Sequence, residues 1–354
     1  MRVFASIGLV AIAAVTGATV DAQQTGMNRL TADVLDVMPP SARVRGEAGE
    51  MSVRTAPCRT LPTEETRRRI VDVAVQEWAY FGFRIVDRTD VTSASVRSTE
   101  FRPGAQGPRG GRRRSWLPAE EAARVAASIA GYWAVTPEGS WILDRQNELW
   151  SGPDGLAARW NAPWSAAFIS WVMCEAGLGS TNQFHRAVAH HAYIDQAIRA
   201  RDGRAPQAAF TAHDTDEVAI APGDMLCSSR RPIYRTVAER RRQMGVGART
   251  HCDIVVKIDE ERERILAIGG NVRGTVSLKL LPAEREAGKP LRVLDPEEDR
   301  PIFVHLRLRA EPFGPDALAT SPTMKAFGCV AVPRTPAVLA AADAIAIDFV
   351  ATSC

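Results

Sequence analysis

Three side chains have the types and chain order needed for acyl-transfer chemistry: Ser165, His251 and Asn271. Ser165 stands near the start of the run Pro163-Trp164-Ser165-Ala166-Ala167-Phe168-Ile169-Ser170-Trp171-Val172. That run reads as a buried helix from Trp164 to about Ala176, ended by Gly177. A helix N-terminus favours negative charge, so a nucleophile placed there gains help in holding an oxyanion. Such a site also needs an imidazole base from a neighbouring strand and a polar residue to orient the ring. A dipole worth roughly 1 kcal/mol does not ionise a serine hydroxyl. His251 would therefore have to remove its proton during attack, and neutral Asn271 stabilises the resulting imidazolium less than a carboxylate would. Asp253 shares a strand face with His251 and could assist. Each residue also has a plain structural reading. Ser165 is a preferred helix-capping type, a lone His251 could be a packed histidine, and Asn271 after Gly269-Gly270 could be a turn residue.

No cysteine replaces the serine. Cys174 lies nine residues further along the same helix, so it is about half a turn out of phase and some 13 Å away along the axis. Cys252 neighbours His251 but should point to the other side of its sheet. There is no CxxC pair and no zinc-finger spacing, so neither a structural metal nor a cofactor is expected. His185, His213 and His305 have no constellation around them, and Asp224 reads as the fixing residue of a Pro-Gly-Asp turn.

Four segments together resemble a known group. Trp164-Ser165-Ala166-Ala167-Phe168 is similar to the Trp-Cys-Ala-Ala-Phe pattern of the CHAP and NlpC-type, papain-like cell-wall amidases and peptidases, with serine in place of cysteine. Pro222-Gly223-Asp224, His251-Cys252-Asp253-Ile254-Val255 and Gly270-Asn271 follow in the order those proteins show. The chain also resembles the bacterial domain-of-unknown-function family 2272. The resemblance implies an α+β, papain-like fold with Ser165 as nucleophile, His251 as base and Asn271 as orienting residue. It implies a cleft bordered by Trp164, Asp253 and His190 or His191. In the related folds the strands bearing Cys227 and Cys252 are neighbours, which implies a disulfide between them; two buried thiols are the alternative. The implied activity is hydrolysis of peptide or amide bonds in peptidoglycan. The alternative is an inactive relative that binds a wall peptide, a glycan or an envelope protein.

The remaining elements must position this set. Arg2, the apolar stretch Phe4 to Val20 and the small residues up to Ala22 read as a cleaved signal over residues 1–22, with a membrane anchor as the alternative. The protein is then expected in the bacterial periplasm or outside the cell, with peptidoglycan or another envelope polymer as partner and no stable membrane span. A formal net charge of +3 gives no indication of nucleic-acid binding. Six cysteines permit disulfides in an exported protein. Residues 23–62 read as a linker or extended arm, 63–310 as the main domain with a papain-like core at about 160–282, and 311–354 as a C-terminal extension. Thr63 is expected to cap a helix that ends at Gly82, a second helix starts at Pro118, and a third spans about Ala187 to Ala200. The arginine-rich stretch Arg102 to Arg114 reads as a solvated loop. The tryptophans from Trp133 to Trp171 could line a sugar-binding groove or pack in the core. Beyond Gly223, five short apolar runs predict an antiparallel sheet of about five strands: Met225–Cys227, Ile254–Ile258, Ile265–Ile268, Val276–Leu280 and Phe303–Leu308.

Overall fold

A computed structural model describes residues 26–89, 119–295 and 299–329. The signal at 1–22, the arginine-rich stretch at 102–114 and most of the C-terminal extension lie outside the described residues. The described fold is mixed α+β, with seven α-helices and one large sheet of eight strands. The strands are β3 (Arg84–Asp87), β4 (Phe210–His213), β5 (Met225–Arg231), β6 (Arg249–Asp259), β7 (Arg264–Val272), β8 (Thr275–Glu284), β9 (Arg292–Val293) and β10 (Ile302–Leu308). A separate two-stranded ribbon joins β1 (Val44–Arg45) to β2 (Ser52–Val53).

The large sheet has the order β3-β8-β7-β6-β5-β10-β4, with β9 added beside β8. The expectation of about five antiparallel strands is corrected in size. The five apolar runs are the five interior strands, all antiparallel to their interior neighbours. The additional strands are the two edges and the short β9. Edge β3 pairs with β8 in parallel, which makes the whole sheet mixed.

One face of the sheet carries the helices. Cys227, Cys252, Ile254, Val256, Leu266, Ile268, Val276 and Leu278 point toward α1 (Thr63–Tyr80), α2 (Ala119–Trp133), α4 (Ser165–Glu175) and α5 (His191–Arg201). Alternate residues of the same strands, including Leu226, Val255, Ile265, Ala267 and Leu281, form a smaller apolar cluster on the opposite face. The remaining helices are α3 (Gly139–Trp150), α6 (Val237–Arg241) and α7 (Pro322–Cys329).

Several local signals resolve differently from the expectation. Pro62, not Thr63, takes the N-cap position of α1, and Thr66 gives its hydroxyl to the Pro62 carbonyl. Gly82 follows the C-cap Phe81 at φ +86°, a conformation that a side chain disfavours. The helix expected over about Ala187 to Ala200 starts later, at His191, which leaves His190 as its N-cap residue.

The arm from residue 26 onward is docked on the helices. Leu35 and Val37 join the main core. Arg43, inside a 3-10 turn at Pro40–Arg43, bonds the buried Glu175 carboxylate at 2.5 Å, and Cys58 is bonded to Cys174 at the far end of α4.

Helix α1 also buries a charge. Asp72 is 5% exposed, and its Oδ1 has no hydrogen-bond partner among the described residues. Burial raises its carboxyl to about 6, against the opposing pull of Arg68, Arg69 and Lys325. Between the unfolded value and about 6, the folded state holds a proton that the unfolded chain has lost, so stability falls as pH rises through that window. Asp72→Asn removes the penalty. It is expected to stabilise the protein by about 1–2 kcal/mol at neutral pH and by nothing below roughly pH 4. Urea unfolding across pH measures this, and a gain independent of pH would refute the assignment.

Candidate active site

Helix α4 delivers Ser165 to the sheet because its sequence is apolar on all sides; every residue from Ser165 to Glu175 is buried. Phe168 gives its amide to the Trp164 carbonyl, so the amides preceding it have no partner within the helix. Gly270 allows the helix to sit close to β7, since a Cβ there would stand 2.5 Å from the Cβ of Phe168.

His251 lies on the other side of the sheet. Its neighbours Cys252 and Ile254 point to the helices, whereas His251, Asp253 and Val255 point away from them. The Nε2 of His251 is 2.9 Å from Asp253 Oδ1, and Lys279 Nζ donates to Asp253 Oδ2 at 2.7 Å. Gly269 completes this packing, because a Cβ there would come within 1.9 Å of Asp253 Oδ1. Burial pushes Asp253 up, but Lys279 and His251 outweigh it and hold the carboxyl below its ordinary value. Burial, aided by the Lys279 charge, lowers the His251 pKa and keeps the ring neutral near pH 7.

The partner of Ser165 is His190. Its Nε2 lies 2.7 Å from Ser165 Oγ. The β6–β7 pairing runs from Ile254↔Ile268 onward, so neighbouring Cys252 has no β7 partner in the ladder. His190 fills that place, and the Cys252 amide donates to its Nδ1 at 3.3 Å. The Tyr193 hydroxyl contacts the same Nδ1. Burial keeps that hydroxyl protonated, because it raises the Tyr193 pKa well above the ordinary value. A nitrogen that accepts from a backbone amide carries no proton of its own. The network therefore puts the His190 proton on Nε2, where it is donated to Ser165 Oγ. Burial first, and His251 second, lower the His190 pKa well below 6.5, so the ring is neutral.

The two imidazoles meet where β6 and β7 part, with ring centroids 5.2 Å apart. Among the described residues Ser165 makes no hydrogen bond to His251, and His251 makes none to Asn271. Ser165 and His251 are set on opposite faces of the sheet. Asn271 stands at the end of β7 with φ +56° and borders two cavities. The first, of about 340 Å³, is lined by Trp150, Trp160, Pro163, Trp164, Arg159 and Asn161 among others. The second, of about 290 Å³, lies on the His251 face. Trp133 and Trp171 are core residues, and Trp141 is 63% exposed.

Tyr193 and Lys279 were not singled out in the sequence. Tyr193 had a usable signal, its position three residues after His190; Lys279 had only strand parity with its neighbours. His191 turns away from this site and contacts the Ala248 backbone. Cys227 and Cys252, paired across β5 and β6, form a disulfide on the helix side. Asp224 holds the turn at 222–224, accepting from the Ala221 amide, and is bonded to Arg67 and His305. Among the described residues no group of three or more His, Cys, Asp or Glu is placed to hold a metal ion. Among the same residues no helix is long and apolar enough to cross a membrane.

Residues 123–306 match a bacterial family described as "Uncharacterized protein conserved in bacteria (DUF2272)", and the chain belongs to that family. Comparisons with curated proteins and with solved structures gave no match.

Proposed function

We propose that this is an exported envelope protein with a papain-like core that binds a wall peptide or glycan without cleaving it. The observation that carries this reading is that the Cys252 amide and the Tyr193 hydroxyl both meet His190 Nδ1, from which the ring proton is assigned to Nε2. A general base must present an unprotonated nitrogen to the serine, yet here Nδ1 is occupied by the Cys252 amide and Nε2–H faces Ser165. His251, the base that the motif order implies, is engaged with Asp253 on the other face. The ligand would occupy the cavity beside Pro163, Trp164 and Asn271, where the half-buried Trp160 offers aromatic surface for a sugar ring or an apolar side chain.

The second reading is a peptidoglycan amidase or peptidase, favoured by the 2.7 Å contact between Ser165 and His190. It requires the His190 proton to move to Nδ1 when substrate binds. Incubating purified peptidoglycan with the protein and analysing released fragments by mass spectrometry separates the two readings. Under the binding reading the protein co-sediments with peptidoglycan and releases no fragments. Ser165→Ala then binds as well as the parent, while Trp160→Ala binds about tenfold less. Fragments released by the parent and lost in Ser165→Ala would overturn that reading in favour of hydrolysis.

A further inference from the structure

Two asparagines border the cavity beside Trp164, and both are held by their backbones. The Asn161 amide donates to Gln146 Oε1 at 2.9 Å, and Asn271 stands in the last turn of β7 at φ +56°. Neither carboxamide makes a hydrogen bond among the described residues, so both are left to face a ligand. Val125 and Ile129 from α2 and Leu156 from the turn at 155–157 supply an apolar wall. Half-buried Trp160 stands edge to face against Trp150, with ring centroids 5.0 Å apart, which fixes its plane.

The lining is also nearly without charge. Among the described residues no carboxylate borders this cavity, and its one cationic residue, Arg159, already has a partner. The free amino and carboxylate groups of a wall peptide would lose hydration here with no counter-charge to replace it. A carboxamide carries both a donor and an acceptor, so it suits a neutral group that carries both. An acetamido group has one N–H, one carbonyl and a methyl. Its amide matches the asparagines, and its methyl matches the wall of Val125, Ile129 and Leu156.

We infer that this cavity selects an N-acetylated amino sugar, reading the acetamido group through Asn161 and Asn271 and the face of the ring through Trp160. The inference rests on the reading of the cleft as a site for a wall ligand, and it chooses glycan over peptide. The volume of about 340 Å³ lies at the small end for ligand sites and suits a short piece of a sugar chain. Asn271 and Asn161 are then the residues that set specificity, since a sugar lacking the amide leaves both carboxamides without a partner.

The test is isothermal titration of the whole protein with diacetylchitobiose, with its deacetylated form and with cellobiose. These disaccharides share one linkage and differ in the substituent beside the anomeric carbon. A neutral capped dipeptide, acetyl-alanyl-alanine amide, is the peptide control. Diacetylchitobiose is expected to bind about tenfold more tightly than cellobiose, and the cationic deacetylated sugar to bind more weakly still. Asn271→Gly keeps the positive φ and Asn161→Ala changes an exposed side chain, so thermal unfolding should show both variants folded. Each should bind diacetylchitobiose about fivefold less tightly and lose most of the preference over cellobiose. Equal binding of cellobiose or the dipeptide, or unchanged affinity in both variants, would overturn the proposal. So would a failure to bind diacetylchitobiose: with peptidoglycan still co-sedimenting, this inference alone falls, and with co-sedimentation lost the wall-ligand reading falls too.

Discussion

Replacing Cys58 and Cys174 together by alanine is expected to lower the unfolding free energy by about 5 kcal/mol. The bond closes a loop of 116 residues in the unfolded chain, and the entropy removed from that chain grows with loop length. The same relation gives about 3.5 kcal/mol for Cys227–Cys252, whose separation is 25. The long crosslink should therefore be the more costly one to remove. It also anchors the arm at the end of α4, beside the Arg43–Glu175 ion pair, so its loss should increase amide exchange in residues 51–60 first. Urea unfolding of the two double variants decides the ranking. A smaller loss for the 58–174 pair than for the 227–252 pair would show that contacts of the arm, and not chain entropy, dominate.

Arg67→Ala should cost about 4 kcal/mol, close to the loss expected when one member of a buried ion pair is removed. The Arg67 guanidinium, from α1, donates to Asp224 Oδ1 at 2.8 Å and to the carbonyls of Pro222, Leu308 and Ala310. It is buried, as is Asp224. Without the guanidinium those carbonyls lose a buried donor, and Asp224 keeps only His305 and the amides of Ala221 and Leu308. Arg67→Lys should rescue little, because an ammonium cannot reproduce the planar fork. A double-mutant cycle with Asp224→Ala is expected to give a coupling on the order of 2 kcal/mol. A loss below about 1 kcal/mol for Arg67→Ala, read by urea unfolding, would mean that water replaces the guanidinium.

The strands legible in the sequence are the ones that must be apolar. β5, β6, β7, β8 and β10 each have a strand on both sides and apolar clusters against the sheet, so their residues form continuous apolar runs. β3 and β4 are edges. Arg84-Ile85-Val86-Asp87 and Phe210-Thr211-Ala212-His213 are four residues each and mix polar with apolar types, which is what an edge tolerates. The site was legible by residue type and less so by contact. Ser165, His190, His251 and Asn271 all lie around the point where β6 and β7 part. Spacing along the chain does not reveal which side of the sheet a strand residue occupies relative to a distant helix. It also does not reveal that the ladder breaks at Cys252, which is what admits His190.

The parallel edge has a consequence for where the folding unit begins. The family match covers residues 123–306, starting inside α2 and stopping inside β10. Strand β3 and helix α1 precede it, yet β3 forms one margin of the sheet, and α1 supplies Ile70, Val73, Ala74 and Trp78 to the same core as β6 and β8. Arg67 on α1 reaches the carbonyls of Leu308 and Ala310, just beyond the other end of the match. A fragment cut to the matched residues would bare the apolar surface that α1 covers and leave β8 open along its side. The stretch by which relatives are recognised is thus shorter than the stretch that folds. A fragment from the docked arm to α7 is therefore expected to fold where one cut to the matched residues is not.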